Sequence, residues 1–162
     1  MKKQILLLFA ALMLSLGASA QMMLSFEIKD ESSKTVKLPL SGNVSVTIAW
    51  GDGTESTHTK AESAQHYFNN VGKYLVMIFG SLDQFGGRTD CELKALTAVA
   101  SFGELGINSL AGAFYNAENL TQAPNTLPAT VTNLSGMFTG CKSFVTTQVS
   151  FATLTAPAAA HS

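Results

Sequence analysis

One pattern occurs twice in this chain, as Leu110-Ala-Gly-Ala-Phe-Tyr-Asn-Ala-Glu-Asn-Leu120 and again as Leu134-Ser-Gly-Met-Phe-Thr-Gly-Cys-Lys-Ser-Phe144. The copies lie 24 positions apart, with Leu, Gly and Phe in register and an apolar residue closing each copy. Repetition at this period is typical of solenoids, whose short units bury their apolar faces only by stacking on one another. The repeat therefore predicts an extended surface for display or binding, and it does not identify the ligand.

The first half of the chain shows the period-two alternation of short β-strands. Turn residues separate three alternating segments, 25–29, 35–38 and 44–48, from one another and from residues 74–79, a nearly continuous apolar run that suits a central strand. This pattern predicts a small antiparallel β-sandwich over residues 22–82. We therefore expect a mainly β protein in which a short junction, residues 83–92, connects the sandwich to a solenoid of about two coils.

The block around the single tryptophan contains three elements in a fixed order. Trp50-Gly-Asp-Gly-Thr54 is followed by His66-Tyr67 and then by Gly72-Lys-Tyr74. This order resembles the polycystic-kidney-disease (PKD) repeat, an immunoglobulin-like extracellular module. The resemblance covers residues 22–82 and implies an immunoglobulin-like sandwich.

The residues of this block also have structural roles that follow from their own chemistry. Trp50 ends an alternating strand and can cover the sandwich core. Gly53 supplies a positive-φ turn position beside Asp52, whose carboxylate can accept hydrogen bonds from nearby backbone amides. Tyr67 and Tyr74 flank the following turn, and we expect them to be aromatic residues at the edge of the core.

The second copy of the repeat extends the comparison to another family. Its sequence, Val131-Thr-Asn-Leu-Ser-Gly-Met-Phe138-Thr-Gly-Cys-Lys-Ser-Phe144, resembles the units of the BspA-like leucine-rich-repeat surface proteins of bacteria. The resemblance covers residues 93–150 and implies a right-handed, leucine-rich-repeat-like solenoid. Phe114 and Phe138 would be buried plugs between coils, and apolar residues at every third position from Leu93 to Phe102 would begin the first coil.

The repeat does not continue beyond the second copy. The next 24 positions lead into residues 151–162, an alanine-rich segment that we expect to be a disordered low-complexity tail. Because repeat arrays usually have at least three units and a cap, we expect a truncated gene product or a fragment of a longer array. An uncapped repeat end also predicts self-association.

The two cysteines leave two interpretations open. Cys141 occupies the repeat position of Ala117, which favours a small buried thiol inside a turn of the solenoid. A disulfide between Cys91 and Cys141 is the alternative, because disulfides form in oxidising compartments.

Residues 1–20 have the three parts of a secretory signal: Lys2-Lys3, an apolar run, and small residues ending at Ala20. We expect cleavage after Ala20 and a secreted or cell-surface product without a membrane span. Loss of the signal leaves eight basic residues against 11 acidic ones, a net charge of −3. A mildly acidic chain without clustered Lys and Arg disfavours nucleic acid as a partner.

Sequence motifs of catalysis and cofactor binding are missing. The histidines have no i, i+4 spacing for zinc, and the serines lack the Gly-x-Ser-x-Gly elbow of hydrolases. Asp52 with Glu55 could bind calcium, but two carboxylates are too few for a dedicated site. We therefore predict a protein that is not an enzyme and has no metal or cofactor.

We expect the protein to function in adhesion to an extracellular protein or glycan. By register, the exposed residues of the coils are the candidate contacts, namely Tyr115, Asn116, Asn119, Thr139 and Lys142. Two alternatives are a structural component of the cell envelope and an accessory carbohydrate-binding module. PKD-like sandwiches occur in such accessory modules, but the chain is too short to hold a catalytic domain as well.

Overall fold

The computed structural model describes residues 20–144, so the predicted signal segment before Ala20, the end of the predicted repeat region and the predicted tail lie outside the described residues. The described chain is mainly β, as predicted, and a 3-10 turn at Glu31–Ser33 is its only helical element. The strands are β1 Met22–Ile28, β2 Thr35–Ala49, β3 Glu55–His58, β4 Glu62–Tyr67, β5 Gly72–Phe85 and β6 Leu96–Ser101.

All six strands belong to one sheet, and every strand pair in it is antiparallel. The strand order is β3-β2-β5-β1-β6, and β4 pairs with the first half of β2. Side chains of β1 alternate between buried and half-buried, as the period of a strand with one core-facing side requires. The antiparallel sheet is the part of the predicted fold that the structure confirms.

Strand β2 joins two of the predicted strands into one. The pairing register with β5 shifts between Ser41 and Val44, and Gly42 has a positive φ of 75° at this point. The carboxylate of Asp83 holds the irregularity, since its Oδ2 accepts hydrogen bonds from the backbone N and the side-chain Nδ2 of Asn43, both at 2.9 Å. The turn residues that suggested a break therefore form a β-bulge inside a longer strand.

Strand β6 occupies the segment in which we expected the first coil to begin. It pairs with β1 with two register irregularities, so its buried residues, Leu96 and Val99, are three positions apart instead of two. The other edge of β6 bonds to the repeat region, because Thr121 N donates to Thr97 O and Val99 N donates to Gln122 O, both at 2.9 Å. The same strand thus belongs to the sheet and contacts the repeats.

The two repeat copies stack on each other through backbone hydrogen bonds. In four successive bonds of 2.8–2.9 Å, an N–H of the first copy donates to a carbonyl of the second: Leu110 to Asn133, Gly112 to Ser135, Phe114 to Met137 and Asn116 to Thr139. Parallel bridges connect Gln84 of β5 to Ser109, and Ser109 to Asn133. The end of β5, the first copy and the second copy therefore form successive layers.

A single hydrophobic core runs through the sheet and both copies. Phe114 is fully buried, and its ring centroid lies 5.8 Å from that of Phe85, 6.3 Å from that of Phe102 and 5.8 Å from that of Phe138. Phe138 is half-buried and stacks on Phe144. Aromatic packing therefore connects the end of β5 to the last described layer.

The predicted junction is integrated into both regions. Strand β5 continues to Phe85, after which Gly86 N donates to Pro39 O at 2.9 Å and Gly87 N donates to Ala111 O at 3.0 Å. Gly86 has a φ of 131°, and a Cβ atom at this residue would lie 2.2 Å from Ala111 O. A glycine is therefore required where the chain passes from the sheet to the first copy.

Candidate functional site

The five candidate contact residues on the repeats are all exposed at the turns of the stacked copies. Tyr115 is an aromatic residue with 38% of its surface accessible. Stacking places Thr139 at the repeat position of Tyr115, and the ammonium of Lys142 lies 3.9 Å from the carboxylate of Glu118 in the preceding copy. Stacking thus gathers the candidate contacts of both copies; we call these five residues the repeat face.

Two members of the repeat face also hold the backbone in place. Asn116 has a left-handed φ of 57°, a conformation in which asparagine is enriched, and its N–H donates to Thr139 O. The side chain of Asn119 donates from Nδ2 to Lys94 O at 2.7 Å. The side chains of Tyr115 and Thr139 have no hydrogen-bond partner within residues 20–144, so their polar groups remain available to a ligand.

A groove of about 670 Å³ lies beside the repeats, between residues 100–106 and residues 124–130. Phe102 and Leu127 line it with apolar surface, and Glu104 also lines it. Small-ligand sites commonly have volumes of about 300–1,000 Å³. The groove is therefore large enough for a small ligand or a short segment of a larger one.

In the first half of the chain, Trp50 is the centre of a polar and aromatic cluster. The indole is buried, and its Nε1 donates a hydrogen bond to Ser56 Oγ at 3.0 Å. The ring of His66 stacks on it with centroids 4.5 Å apart and planes 11° apart, and Phe68 packs edge-on at 6.3 Å. We call Trp50, Asp52, Ser56, His58, Glu62 and His66 the Trp50 centre.

The first carboxylate of the Trp50 centre is Asp52. Its Oδ2 lies 2.8 Å from His66 Nε2, and its Oδ1 accepts hydrogen bonds from the backbone N and the Oγ1 of Thr54. Partial burial raises the pKa of Asp52, but these bonds outweigh burial and leave the pKa below its ordinary value. Asp52 thus bonds to Thr54 of its own turn and to His66 of β4, and residues 20–144 contain no cluster of three or more potential metal ligands.

The second carboxylate belongs to a group that the sequence reading missed. Ser56 Oγ lies 2.8 Å from His58 Nε2, and His58 Nδ1 lies 2.8 Å from Glu62 Oε2. The hydrogen bond from His58 lowers the pKa of Glu62. Ser56 and His58 are two positions apart and therefore share one face of β3; that alternation was the available signal, but the placement of Glu62 depends on the following turn.

The two tyrosines of the Trp-Gly-Asp-Gly block have different surroundings. Tyr67 is 46% exposed, and its hydroxyl donates to Glu31 Oε1 at 2.6 Å. Tyr74 packs against the core, where its ring stacks on Phe68 with centroids 4.3 Å apart and its hydroxyl donates to Asn70 O. Gly53 adopts the positive φ expected of it, 92°.

Both cysteines are free thiols and half-buried. Cys141 Sγ donates to Phe114 O at 3.0 Å, and burial raises the pKa of this thiol to about 11. A thiol with such a pKa is protonated at neutral pH and is a weak nucleophile. Cys141 therefore acts as a packing residue between the two copies.

No protein family, curated protein or solved structure matches this chain. Within residues 20–144 there is no helix with the length and apolar character of a membrane span.

Proposed function

We propose that this protein is an exported, surface-type binding protein whose repeat face contacts an extracellular protein or glycan. In this proposal, residues 22–82 are a PKD-like sandwich that acts as a spacer, and the stacked copies are the first coils of a leucine-rich-repeat-like solenoid. The secretion signal and the two family resemblances read from the sequence support export and an adhesive role.

The observation that carries the proposal is the alignment of exposed side chains across the stacked copies. Backbone bonds fix the first copy on the second, so Tyr115 and Thr139 occupy equivalent positions in neighbouring layers. A tyrosine supplies contact area and a hydroxyl at a low cost in conformational entropy, which makes it frequent in binding surfaces. A ligand that contacts both layers would be held by a rigid surface.

The groove beside the repeats offers a second contact surface. An apolar group of a glycan chain or of an extended peptide could pack against Phe102 and Leu127 there. We therefore expect the repeat face to supply most of the specificity and the groove to add affinity.

Binding of the labelled full chain to a panel of matrix proteins and glycans tests the proposal. For any ligand that binds saturably, we expect Tyr115→Ala to weaken binding about tenfold or more, as for an exposed aromatic anchor. Leu75→Ala is the matched control, because Leu75 is also 38% exposed but belongs to β5. Near-ultraviolet circular dichroism establishes that each sample is folded.

Two results would reject adhesion through the repeat face. The first is the absence of saturable binding by folded chain, which would favour a structural role in the cell envelope. The second is saturable binding that Leu75→Ala weakens as much as Tyr115→Ala does. If only Leu127→Ser weakens ligand binding, the binding site is the groove and not the repeat face.

A further inference from the structure

The hydrogen bonds of the Trp50 centre have one consistent direction. An indole N–H is a donor only, so Ser56 Oγ must accept the bond from Trp50 Nε1. The Glu62 carboxylate is an acceptor, so His58 Nδ1 carries a proton and donates a hydrogen bond to Glu62 Oε2 at 2.8 Å. In the neutral imidazole, His58 Nε2 is then unprotonated and accepts a hydrogen bond from the Ser56 hydroxyl, also at 2.8 Å.

This chain of bonds selects the tautomer that a general base needs. A serine hydroxyl that donates to Nε2, with a carboxylate orienting the ring through Nδ1–H, is the arrangement of nucleophile, base and orienting group in serine hydrolases. That arrangement is identified by its geometry and by the role of each group, because it recurs on unrelated folds.

The position of the three residues keeps the serine within reach of solvent. Strand β3 is at one end of the sheet order, and Ser56 is half-buried there. The side chain of His58 is 13% exposed, and that of Glu62 is 36% exposed. The imidazole is thus mostly shielded while the edge of the site remains open.

The second histidine of the cluster provides an internal comparison. His66 is also paired with a carboxylate, Asp52, at 2.8 Å. Within residues 20–144 no hydroxyl is bonded to the ring of His66, and its face is covered by Trp50. Only the pair formed by His58 and Glu62 has a serine in position to act as a nucleophile.

We infer that Ser56, His58 and Glu62 form an acyl-transfer site that hydrolyses small carboxylic esters. Ser56 Oγ attacks the ester carbonyl, a new Oγ–C bond forms, and the hydroxyl proton passes to His58 Nε2. The C–O bond to the alcohol then breaks, and His58 returns the proton to the leaving alkoxide. Water, activated by the same nitrogen, releases the carboxylic acid and restores the serine.

The remaining members of the site have supporting roles. Glu62 stabilises the imidazolium that forms when His58 takes the proton, and it acts as a positioning residue. The N–H of Trp50 donates to Ser56 Oγ at 3.0 Å and holds this oxygen beside His58.

Labelling of the folded full chain with a fluorophosphonate probe tests the site, with the modified residue located by mass spectrometry. We expect an adduct on Ser56 and hydrolysis of p-nitrophenyl acetate above the background rate. His58→Gln removes the base. It is expected to lower the rate of Ser56 labelling and the rate of ester hydrolysis about 100-fold each, the lower range for general-base catalysis. Ser56→Ala is expected to abolish the adduct.

Ser63→Ala is the matched control, since Ser63 Oγ donates to Asp90 Oδ1 at 2.6 Å and no hydrogen bond within residues 20–144 joins it to a histidine. It should leave both rates unchanged, and so should Tyr115→Ala, because the site is separate from the repeat face. Absence of a Ser56 adduct on folded wild-type chain would overturn the inference without reference to any variant. Equal labelling of Ser56 in a folded His58→Gln sample would overturn it as well.

Discussion

The Trp50 centre and the repeat face arrange their polar side chains in opposite ways. In the Trp50 centre, Asp52 pairs with His66 and Glu62 pairs with His58 beside a buried indole. On the repeat face, the side chains of Tyr115 and Thr139 lie on the outside of two stacked layers and have no hydrogen-bond partner within residues 20–144. Internal bonding therefore distinguishes a site with its own chemistry from a surface that can contact a ligand.

A shared core connects the two regions, and the largest predicted effect tests that connection. Phe114→Ala removes the aromatic ring that contacts Phe85 on one side and Phe138 on the other. Loss of a fully buried Phe should lower the free energy of unfolding by about 3–5 kcal/mol. Urea unfolding followed by Trp50 fluorescence and by far-ultraviolet circular dichroism should show one coincident transition at lower urea.

Phe138→Ala is the control for this prediction. Phe138 is half-buried, so its removal should cost clearly less than removal of Phe114. Two separate transitions in the wild-type chain would contradict the shared core, because the sheet and the repeats would then unfold independently.

Two glycine substitutions test the connection between the sheet and the repeats. Gly86→Ala introduces a Cβ atom 2.2 Å from Ala111 O and strains a residue with a φ of 131°. Gly106→Ala strains a residue with a φ of 82° but meets no atom within 4 Å. We expect a loss of roughly 3 kcal/mol for Gly86→Ala and roughly 1 kcal/mol for Gly106→Ala. Equal losses, measured by thermal or urea unfolding, would contradict the close contact at Gly86.

Acid should destabilise the protein through the two carboxylates of the Trp50 centre. Asp52 and Glu62 have pKa values below their ordinary 3.8 and 4.5, so the folded state binds fewer protons than the unfolded state. The stability that these carboxylates contribute is present above the ordinary pKa values and is lost as the pH falls through the folded values. Urea midpoints should therefore decrease below about pH 4.5.

A double variant separates this contribution from general acid sensitivity. Asp52→Asn combined with Glu62→Gln removes both titrating groups, so its midpoint should depend less on pH over the same range. If the variant loses stability with falling pH as steeply as the wild type does, these two groups do not account for the acid effect.

The smallest stability effects should come from the repeat face itself. Tyr115→Ala and Lys142→Ala change exposed side chains, and the ion pair between Lys142 and Glu118 is long, at 3.9 Å. Both changes should alter the free energy of unfolding by less than about 0.5 kcal/mol. A loss above 1 kcal/mol in urea unfolding would show that the face is structural, and would weaken its assignment as a binding surface.

Several features of the fold could be predicted because they are local. Alternation and one apolar run predicted segments of β1, β2 and β5, and Gly53 of the Trp-Gly-Asp-Gly block was predicted to have a positive φ, which it adopts. The three-residue apolar step also identified Leu96 and Val99 as buried residues. It did not reveal that they lie on a strand, because the bulges that produce this spacing depend on the pairing with β1.

The candidate contact residues likewise show some features that the sequence predicted and others that it did not. Register alone placed Tyr115, Asn119 and Lys142 outside the core, since the pattern of buried Leu, Gly and Phe leaves the intervening positions exposed. It could not show that Asn119 would bond to Lys94 O, which is 25 positions away in the chain. The group of Ser56, His58 and Glu62 was missed because no hydrolase motif contains it.

The sequence by itself determined that this protein is mainly β and that two copies of one pattern could stack, because strand alternation and a 24-residue repeat are properties of neighbouring positions. Only the tertiary structure decided that the sheet and the repeats share one core and that β6 serves both. It also decided which polar groups lie within 3 Å of one another around Trp50. Such contacts depend on strand pairing and on bulges, which join distant residues and leave no local pattern in the chain.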